Sequence, residues 1–342
     1  MTPGQRKYKI LQTIIESYVE SGDPVGSKTL AAMLENAVSS ATIRNDMSDL
    51  VDSGYLEQPH TSSGRIPSQR GYRLYVDQLM WKRTLTDEVQ SLISDKLTAY
   101  SCNPERFIEA AAQLLSEQTN FVAVITTPAD VQARVVAVEI MPTSEHTVVI
   151  MMMISPSVLK SRICRLHVKV ESAAVNMLRH YMNLHLLNMQ ISELTDDYME
   201  RITNELGSVG TALAPAFAMA ADIAQEAGTV QIAVEGQSNL YDREDLSYSD
   251  VKELMAFLRN KQDIINLLSL SGSSHVIIGR ESKKAQLSGV SVVAARYYSG
   301  IGASGLVGVI GPLRMNYSKL IPYVEYFAGV VGSEMKATLG MY

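Results

Sequence analysis

The sequence has few of the residues that build disulfide-linked, metal-clustered or nucleic-acid-coating proteins. Its 342 residues include two cysteines and one tryptophan, and aromatic residues make up 6% of the chain. Two cysteines, Cys102 and Cys164, are too few for a disulfide framework or a metal cluster, so we expect reduced thiols and a cytoplasmic setting. The net charge of −6 excludes a protein that coats nucleic acid along its whole surface.

Long hydrophobic runs are also missing. The most apolar segment, 147–154, is far shorter than the roughly 20 residues that cross a bilayer, and the first residues contain no apolar signal run. We therefore expect no membrane partner. Hydrophobic residues at 46% and charged residues at 19% predict a packed globular protein of two or three domains.

Charge is distributed unevenly along the chain. Residues 1–83 carry ten Lys/Arg and nine Asp/Glu, whereas the remainder carries twenty and twenty-seven. A near-neutral N-terminal part beside an acidic body is compatible with one DNA-binding unit.

Three helices are predicted within that N-terminal part. Apolar residues at helical spacing predict a helix from about residue 4 to 20, which Ser21-Gly22-Asp23-Pro24 ends. Ser27 is predicted to cap a short helix over 28–34. Ser40, or Ser39, is predicted to cap a third helix over 41–53, and Gly54 then stands where a left-handed residue ends a helix.

The third helix has two different faces. Ile43, Met47, Leu50 and Val51 are expected to bury against the other helices, and the polar residues then point away. The second helix of a helix-turn-helix contacts bases with its N-terminal residues, and Arg and Asn are suited to guanine and adenine. The predicted base contacts are Ser40, Thr42, Arg44, Asn45 and Ser48. The alternative interpretation is a solvated helix face with a cap.

A short ribbon follows the third helix. Residues 55–58 are strand-like, Ile66 starts a return strand, and the tip between them is rich in small hydrogen-bonding residues. Such a tip suits sugar and phosphate contacts, although an ordinary polar loop is the alternative. A helix over 69–82 is predicted to leave this unit. The predicted backbone contacts are Ser27, Lys28, His60, Thr61, Arg65 and Arg70.

Two patterns in the sequence have residue types that are found in cofactor or metal sites. Gly300-Ile-Gly302-Ala-Ser-Gly305 has the letters of a dinucleotide-binding motif, but that motif opens a helix, and here strands are predicted on both sides. We predict a glycine-rich hairpin. His167, His180 and His185 lack the spacing and partners of a metal site, so we expect no metal, no cofactor and no enzyme.

The N-terminal part closely resembles the HrcA family of bacterial heat-inducible transcription repressors. The resemblance rests on Pro24-Val-Gly-Ser-Lys-Thr-Leu30, Ser40-Ala-Thr-Ile-Arg-Asn-Asp-Met47 and Pro59-His-Thr-Ser-Ser-Gly-Arg-Ile-Pro67. Gly71-Tyr-Arg73 and Tyr75-Val-Asp77 continue it, and Ile310-Gly-Pro312 with Arg314-Met-Asn-Tyr317 extend it to the end of the chain. The central region resembles the family mainly in layout.

The resemblance implies an α+β fold with three parts. These are a winged helix-turn-helix over 1–83, a GAF-like α/β sheet domain over 84–154 and 246–342, and an inserted dimerisation domain over 155–245. It also implies a dimeric repressor of chaperonin and Hsp70 operons that binds double-stranded DNA at an inverted repeat, with the chaperonin as the partner that sustains its activity.

Two interpretations of the body stay open. A Met- and Leu-rich stripe over 177–189 is by default a core stripe, and the sharper alternative is a dimer or chaperone-binding face. A regulator whose GAF-like domain binds a small molecule is the alternative function, by fold analogy.

Overall fold

The computed structural model of the chain describes residues 2–34, 38–59, 64–100, 104–130, 132–154, 158–269, 274–300 and 303–338. The described helices are α1 (Pro3–Ser21), α2 (Ser27–Met33), α3 (Ser40–Asp52), α4 (Gln69–Leu74), α5 (Asp87–Thr98), α6 (Pro104–Thr119), α7 (Ser172–Leu186), α8 (Asp196–Glu205), α9 (Gly207–Gly228), α10 (Tyr248–Leu258), α11 (Lys261–Leu268) and α12 (Tyr317–Thr338). The described strands are β1 (Leu56–Glu57), β2 (Ile66–Pro67), β3 (Val122–Thr126), β4 (Ala129–Asp130), β5 (Val135–Ser144), β6 (Thr147–Ile154), β7 (Val158–Arg165), β8 (Ile232–Glu235), β9 (Ser274–Ile278), β10 (Val290–Tyr298) and β11 (Ala303–Pro312). The chain is therefore a mixed protein of the α+β class, as predicted.

Residues 2–79, called the head below, hold α1 to α4 and the ribbon β1–β2. The apolar positions predicted for α1 are buried, among them Ile10, Leu11, Ile14 and Ile15. They pack with the buried stripe of α3 in one continuous cluster. Helical periodicity therefore predicted both the helices and the faces by which they pack.

One predicted helix cap is displaced by one residue, and for the other the structure selects between the two serines that the sequence offers. Ser27 is the first residue of α2 rather than its cap; Gly26 holds the N-cap position and provides no side-chain hydrogen bond. Ser39, not Ser40, caps α3, and its hydroxyl accepts a hydrogen bond from the amide of Thr42 at 3.1 Å. Gly54 has φ +75°, as the prediction of a left-handed residue required.

The helix that leaves the head is shorter than predicted. A helix over 69–82 is expected from the sequence, but α4 continues as a single π-helical turn, Tyr75–Leu79, and Met80 is extended. The amide of Arg83 donates to the carbonyl of Ser318 at 3.0 Å. This bond ties the extended segment to α12 and replaces the helical bonding that would continue α4.

The main sheet of the body has the order β8-β3-β11-β10-β9, and β4 pairs with β11. Both faces are covered, so alternate residues of β10 enter different cores. Val293 and Ala295 belong to the core that contains the head and α12, whereas Val292 and Ala294 belong to the core with α10 and α11. Such two-sided burial explains why β10 is nearly continuously apolar.

The glycine-rich motif at 300–305 joins two strands of this sheet. β10 and β11 pair antiparallel, with Tyr298 opposite Ser304, and residues 301 and 302 lie outside the described residues. A strand follows the motif, as predicted, so the helix of a dinucleotide-binding motif is not formed there. The predicted hairpin is confirmed.

A second, separate unit interrupts the main sheet. Strands β5, β6 and β7 form their own antiparallel sheet, and its buried side packs on α7, α8 and α9 in an independent core. We call residues 132–229 the insert. The predicted limits, 155–245, were wrong at both ends: 135–154 belongs to the insert's sheet, and β8 pairs with β3 in the main sheet. Strand periodicity indicates that a segment is extended but not which sheet it joins.

Two further elements of the body differ from what sequence periodicity predicts. The irregular alternation of residues 162–170 predicts a strand, and the strand formed is β7, which begins and ends earlier in the chain. The helical spacing of residues 249–268 predicts one helix, which is divided into α10 and α11 because the side chain of Asn260 caps α11 through the amides of Gln262 and Asp263. Among the described helices, α9 is the one with the length and composition to cross a membrane, and its apolar side packs in the core of the insert.

Candidate nucleic-acid interface

The outward face of α3 carries the predicted base contacts. Ser40, Arg44, Asn45 and Ser48 are exposed, and Thr42 is half-buried beside the cap. Ile43, Met47 and Leu50 are buried beneath them. The helix therefore presents polar side chains to solvent from its first turns and packs by the opposite stripe, as the sequence predicts.

An acidic residue lies within the buried stripe of α3, and sequence periodicity did not find its role. Asp46 is 4% exposed. Its carboxylate accepts two hydrogen bonds from Arg6 of α1, with Nε–Oδ2 at 2.6 Å and Nη2–Oδ1 at 3.2 Å. The hydrogen bond from the guanidinium of Arg6 to Asp46 raises the pKa of Arg6. A charged residue at an apolar helical position was the available signal, because such a residue needs a partner.

The ribbon is fixed to the turn between α1 and α2. Leu56 faces Pro67 across the ribbon, and Arg65 exchanges two backbone hydrogen bonds with Val25, each 2.9 Å long. A Cβ on Gly64 would lie 2.5 Å from the carbonyl carbon of Val25, so only glycine permits this approach. The return side of the ribbon therefore lies beside the start of α2.

The residues predicted to contact the DNA backbone differ in exposure and in the bonds that they form. Lys28 is exposed and Ser27 is half-buried at the start of α2, and Arg65 is half-buried in the ribbon. Arg70 is exposed, but its guanidinium donates to the carbonyl of Ser53 at 3.0 Å. The same group lies over the ring of Tyr55, 4.7 Å from its centroid. His60 and Thr61 lie outside the described residues.

The head is held to the body by aromatic and polar contacts. The rings of Tyr72 and Tyr317 meet with their centroids 5.8 Å apart, and burial raises the pKa of Tyr72 well above its usual value. Gln69 donates to the carbonyl of Ser288 at 2.9 Å. Arg314 donates to the last turn of α1, at the carbonyl of Val19, over 3.4 Å. The body therefore sets the orientation in which α3 is presented.

The described part of the chain contains no cluster of three or more His, Cys, Asp or Glu side chains placed to hold a metal ion.

Comparison with known proteins identifies the family. The family model described as HrcA protein C terminal domain matches residues 105–321. A heat-inducible transcription repressor HrcA of Clostridium botulinum (strain Alaska E43 / Type E3) is 34% identical over 329 residues, which are 94% of each chain. The chain belongs to the HrcA family of heat-inducible transcription repressors.

Other similarities agree with membership of the HrcA family. The repressor HrcA of Natranaerobius thermophilus is 31% identical over 330 residues and 96% of each chain. A crystal structure of a hypothetical protein at 2.2 Å resolution covers 97% of this chain and 98% of its own, with TM-score 0.67 and 24% identity. That structure supports the fold alone, across the head, the main sheet and the insert.

Proposed function

We propose that the chain represses transcription by binding an inverted-repeat operator as a homodimer, with the head acting as a winged helix-turn-helix. The observation that carries this proposal is the outward face of α3. Arg44 and Asn45 are exposed there, and they have the side chains that pair with guanine and adenine in the major groove. In this proposal Arg65, Ser27 and Lys28 contact the DNA backbone, and His60 and Thr61, which lie outside the described residues, are further backbone contacts predicted from the sequence.

The dimer is supported by the uncovered face of the insert's sheet. Most cross-strand neighbours on this face are apolar: Met141 pairs with Val149, and Val149 pairs with Ile163, whereas the next row places Glu139 and Ser161 on either side of Met151. Met153 pairs with Leu159 at the other end. Ile163 is 70% exposed and Leu159 is 56% exposed. A contiguous apolar face of this kind marks an interaction site, and a two-fold interface here would place two heads on the two halves of an inverted repeat.

The targets and the regulating partner follow from membership of the family. The operator controls chaperonin and Hsp70 operons, and the chaperonin sustains repression by binding the repressor. In this proposal the main sheet is a GAF-like domain, which links the insert to the head. A partner that binds only the folded form stabilises it by mass action, so unfolded proteins that compete for the chaperonin would release the operator.

One experiment tests the proposal directly. Gel shifts would compare an inverted-repeat operator with scrambled DNA of the same composition, with and without chaperonin. We expect a retarded dimer complex on the operator at concentrations that leave scrambled DNA free, and more of it with chaperonin. Equal affinity for both DNAs would contradict operator recognition, and a chaperonin-independent shift would contradict the partner.

A second candidate function is favoured by one cavity. A space of about 790 Å³ lies between the head and the body, and its apolar walls include Val76, Met80, Leu267 and Ile277. A ligand there would contact both parts, as a small-molecule-responsive regulator requires. Thermal melting separates the candidates, because a metabolite that raises the melting temperature and alters operator affinity would favour this second function over the chaperonin.

A further inference from the structure

The contact between α1 and α3 combines a buried ion pair with an exposed one. Arg6 binds Asp46 through two nitrogens, and the side chains are 25% and 5% exposed. Lys7, the next residue of α1, binds Asp49 through one nitrogen at 2.8 Å, with exposures of 35% and 55%. The two pairs join the same two helices but differ in burial and geometry.

The buried pair constrains the rotation of α3 about its own axis. The apolar contacts of Ile43, Met47 and Leu50 carry no directional requirement of their own. A fork of two charged hydrogen bonds is directional and loses energy when either bond lengthens. Asp46 is next to Asn45 and two residues from Arg44 in α3. Fixing the direction of the Asp46 side chain about the helix axis therefore also fixes the directions of the other two side chains.

Contacts to bases require the rotation of α3 to stay within a narrow range. Side chains extend about 5 to 6 Å from a helix axis, so a rotation of about 20° moves their ends by about 2 Å. Paired hydrogen bonds to one base require lengths within about 0.5 Å of each other. A rotation of about 20° would therefore break the contacts of Arg44 and Asn45 with the bases.

We propose that Arg6 and Asp46 are positioning residues whose ion pair sets the rotation of α3 and thereby the selectivity for operator bases. This inference rests on the proposed function, since it concerns how the same helix distinguishes sequences. Arg6 acts through Asp46 and does not contact DNA. A buried ion pair retained for structural specificity rather than stability is a known use of such pairs.

The test separates rotation from stability by using two variants of the full chain. Arg6→Lys keeps the positive charge but replaces the fork with a single ammonium group. The double variant R6M/D46L removes both charges together, so no buried carboxylate is left unpaired, and apolar pairs of this kind commonly retain stability. Lys7→Met is the matched control, because it removes the exposed pair between the same helices.

The measurements are the melting temperature and the dissociation constants for the operator and for scrambled DNA over a range of salt concentrations. For Arg6→Lys we expect about a tenfold loss of the ratio of the two constants and an unchanged salt slope. For the double variant we expect a melting temperature close to that of the unaltered chain and a comparable loss of selectivity. Lys7→Met should keep the full ratio.

Each contrary result has a distinct meaning. A double variant with both the original melting temperature and the original selectivity would show that the pair sets neither the stability of the head nor its base selectivity, and would overturn the proposal. In the double variant, which removes the charge of Arg6, a salt slope lowered by about one unit would make Arg6 a phosphate contact. If the unaltered chain itself binds both DNAs equally, the proposed function fails, and this outcome is separate from the other two.

Discussion

Arg73 of α4 binds Glu281 of the body, 208 positions further along the chain, with Nε 2.8 Å from Oε1. A second nitrogen of the same guanidinium binds the carbonyl of Val276 in β9 at 2.7 Å, and Asp77 accepts a third bond at 3.0 Å. The bonds to Glu281 and Asp77 raise the pKa of Arg73, and Glu281 makes the largest contribution. The side chain of Arg73 thus joins α4 of the head to β9 at the edge of the main sheet.

Glu281→Gln should weaken this junction. The amide keeps the shape of the carboxylate but removes its charge. Because the side chains of Arg73 and Glu281 are 30% and 39% exposed, solvent screening limits the loss to about 1 kcal/mol. Urea denaturation at low and high salt measures it, and the loss should shrink with salt. The control is Glu325→Gln, which removes the single ion pair of Lys82; a larger loss there would contradict the importance of Arg73.

Gly22→Ala should destabilise the head. Gly22 ends α1 with φ +78°, and an added Cβ would lie 3.0 Å from a guanidinium nitrogen of Arg314. The left-handed backbone alone costs a residue with a Cβ about 1 to 2 kcal/mol. Gly329→Ala is the control, since that helical position has no neighbour within 4 Å and should gain about 0.5 to 1 kcal/mol. Thermal melting of both variants checks the opposite signs.

Arg44→Ala should alter base choice at one position of each operator half. Loss of a paired contact to a base costs about 1 to 3 kcal/mol, and all bases at that position should then bind more equally. Binding to a set of operators with single base changes measures this pattern. A uniform loss on every DNA, scrambled sequences included, would instead identify Arg44 as a phosphate contact.

Arg65→Ala provides the contrasting result. As a phosphate contact in the ribbon, Arg65 should contribute equally on all sequences, and its removal should lower the salt slope by about one unit. An unchanged slope would remove Arg65 from the phosphate contacts.

Ile163→Asp should shift the proposed dimer toward the monomer. Ile163 is 70% exposed on the uncovered face of the insert's sheet, so the monomer tolerates the charge, whereas a dimer interface would bury it without a partner. Sedimentation velocity over a range of concentrations measures the shift. Tyr298→Asp, at another exposed apolar position of 64%, should leave the dimer intact. A dimer unaffected by Ile163→Asp would place the interface elsewhere.

Tyr75→Phe should flatten the loss of stability at high pH. Burial raises the pKa of Tyr75 to about 12 from an ordinary value of 10. The folded chain therefore keeps a proton that the unfolded chain releases, and stability falls as the pH rises between these values. Below pH 10 the group contributes no slope, so the curves of the two proteins should run parallel there. Denaturation midpoints from pH 8 to 12 test this, and identical slopes above pH 10 would contradict it.

Local patterns predicted much of the head. The spacing of Ile43, Met47 and Leu50 predicted the buried face of α3, and the same spacing left Arg44 and Asn45 on the outside. The partner of Asp46 could not be predicted, because Arg6 is 40 positions away and no local pattern specifies that approach. The cap at Ser39 was uncertain for a simpler reason: two adjacent serines have the same chemistry.

Sheet membership was the main limit in the body. The apolar residues of 134–141 and 146–154 predict two strands, which are β5 and β6 in the structure, but their partners depend on packing against α7 and α9, which lie later in the chain. A helix predicted over 249–268 overlooked Asn260, whose side chain suits an N-cap and gave a usable signal. The contacts of Arg73 with Glu281 and of Tyr72 with Tyr317 join distant segments and appear only in the folded chain.

The interruption of the main sheet by the insert has a consequence during synthesis. Strand β3 pairs with β8 and β11, both of which follow the insert, and the core of the head also contains Tyr317 and Phe327 of α12. At about 5 to 20 residues per second, a ribosome needs roughly 15 to 60 s to proceed from α1 to α12. For roughly 5 to 20 s of that interval, while residues 127–231 are made, β3 has no partner strand. The apolar sides of α1 and α3 lack part of their cover until α12 follows. The nascent chain is therefore itself a prolonged source of exposed apolar surface, of the kind that occupies chaperones.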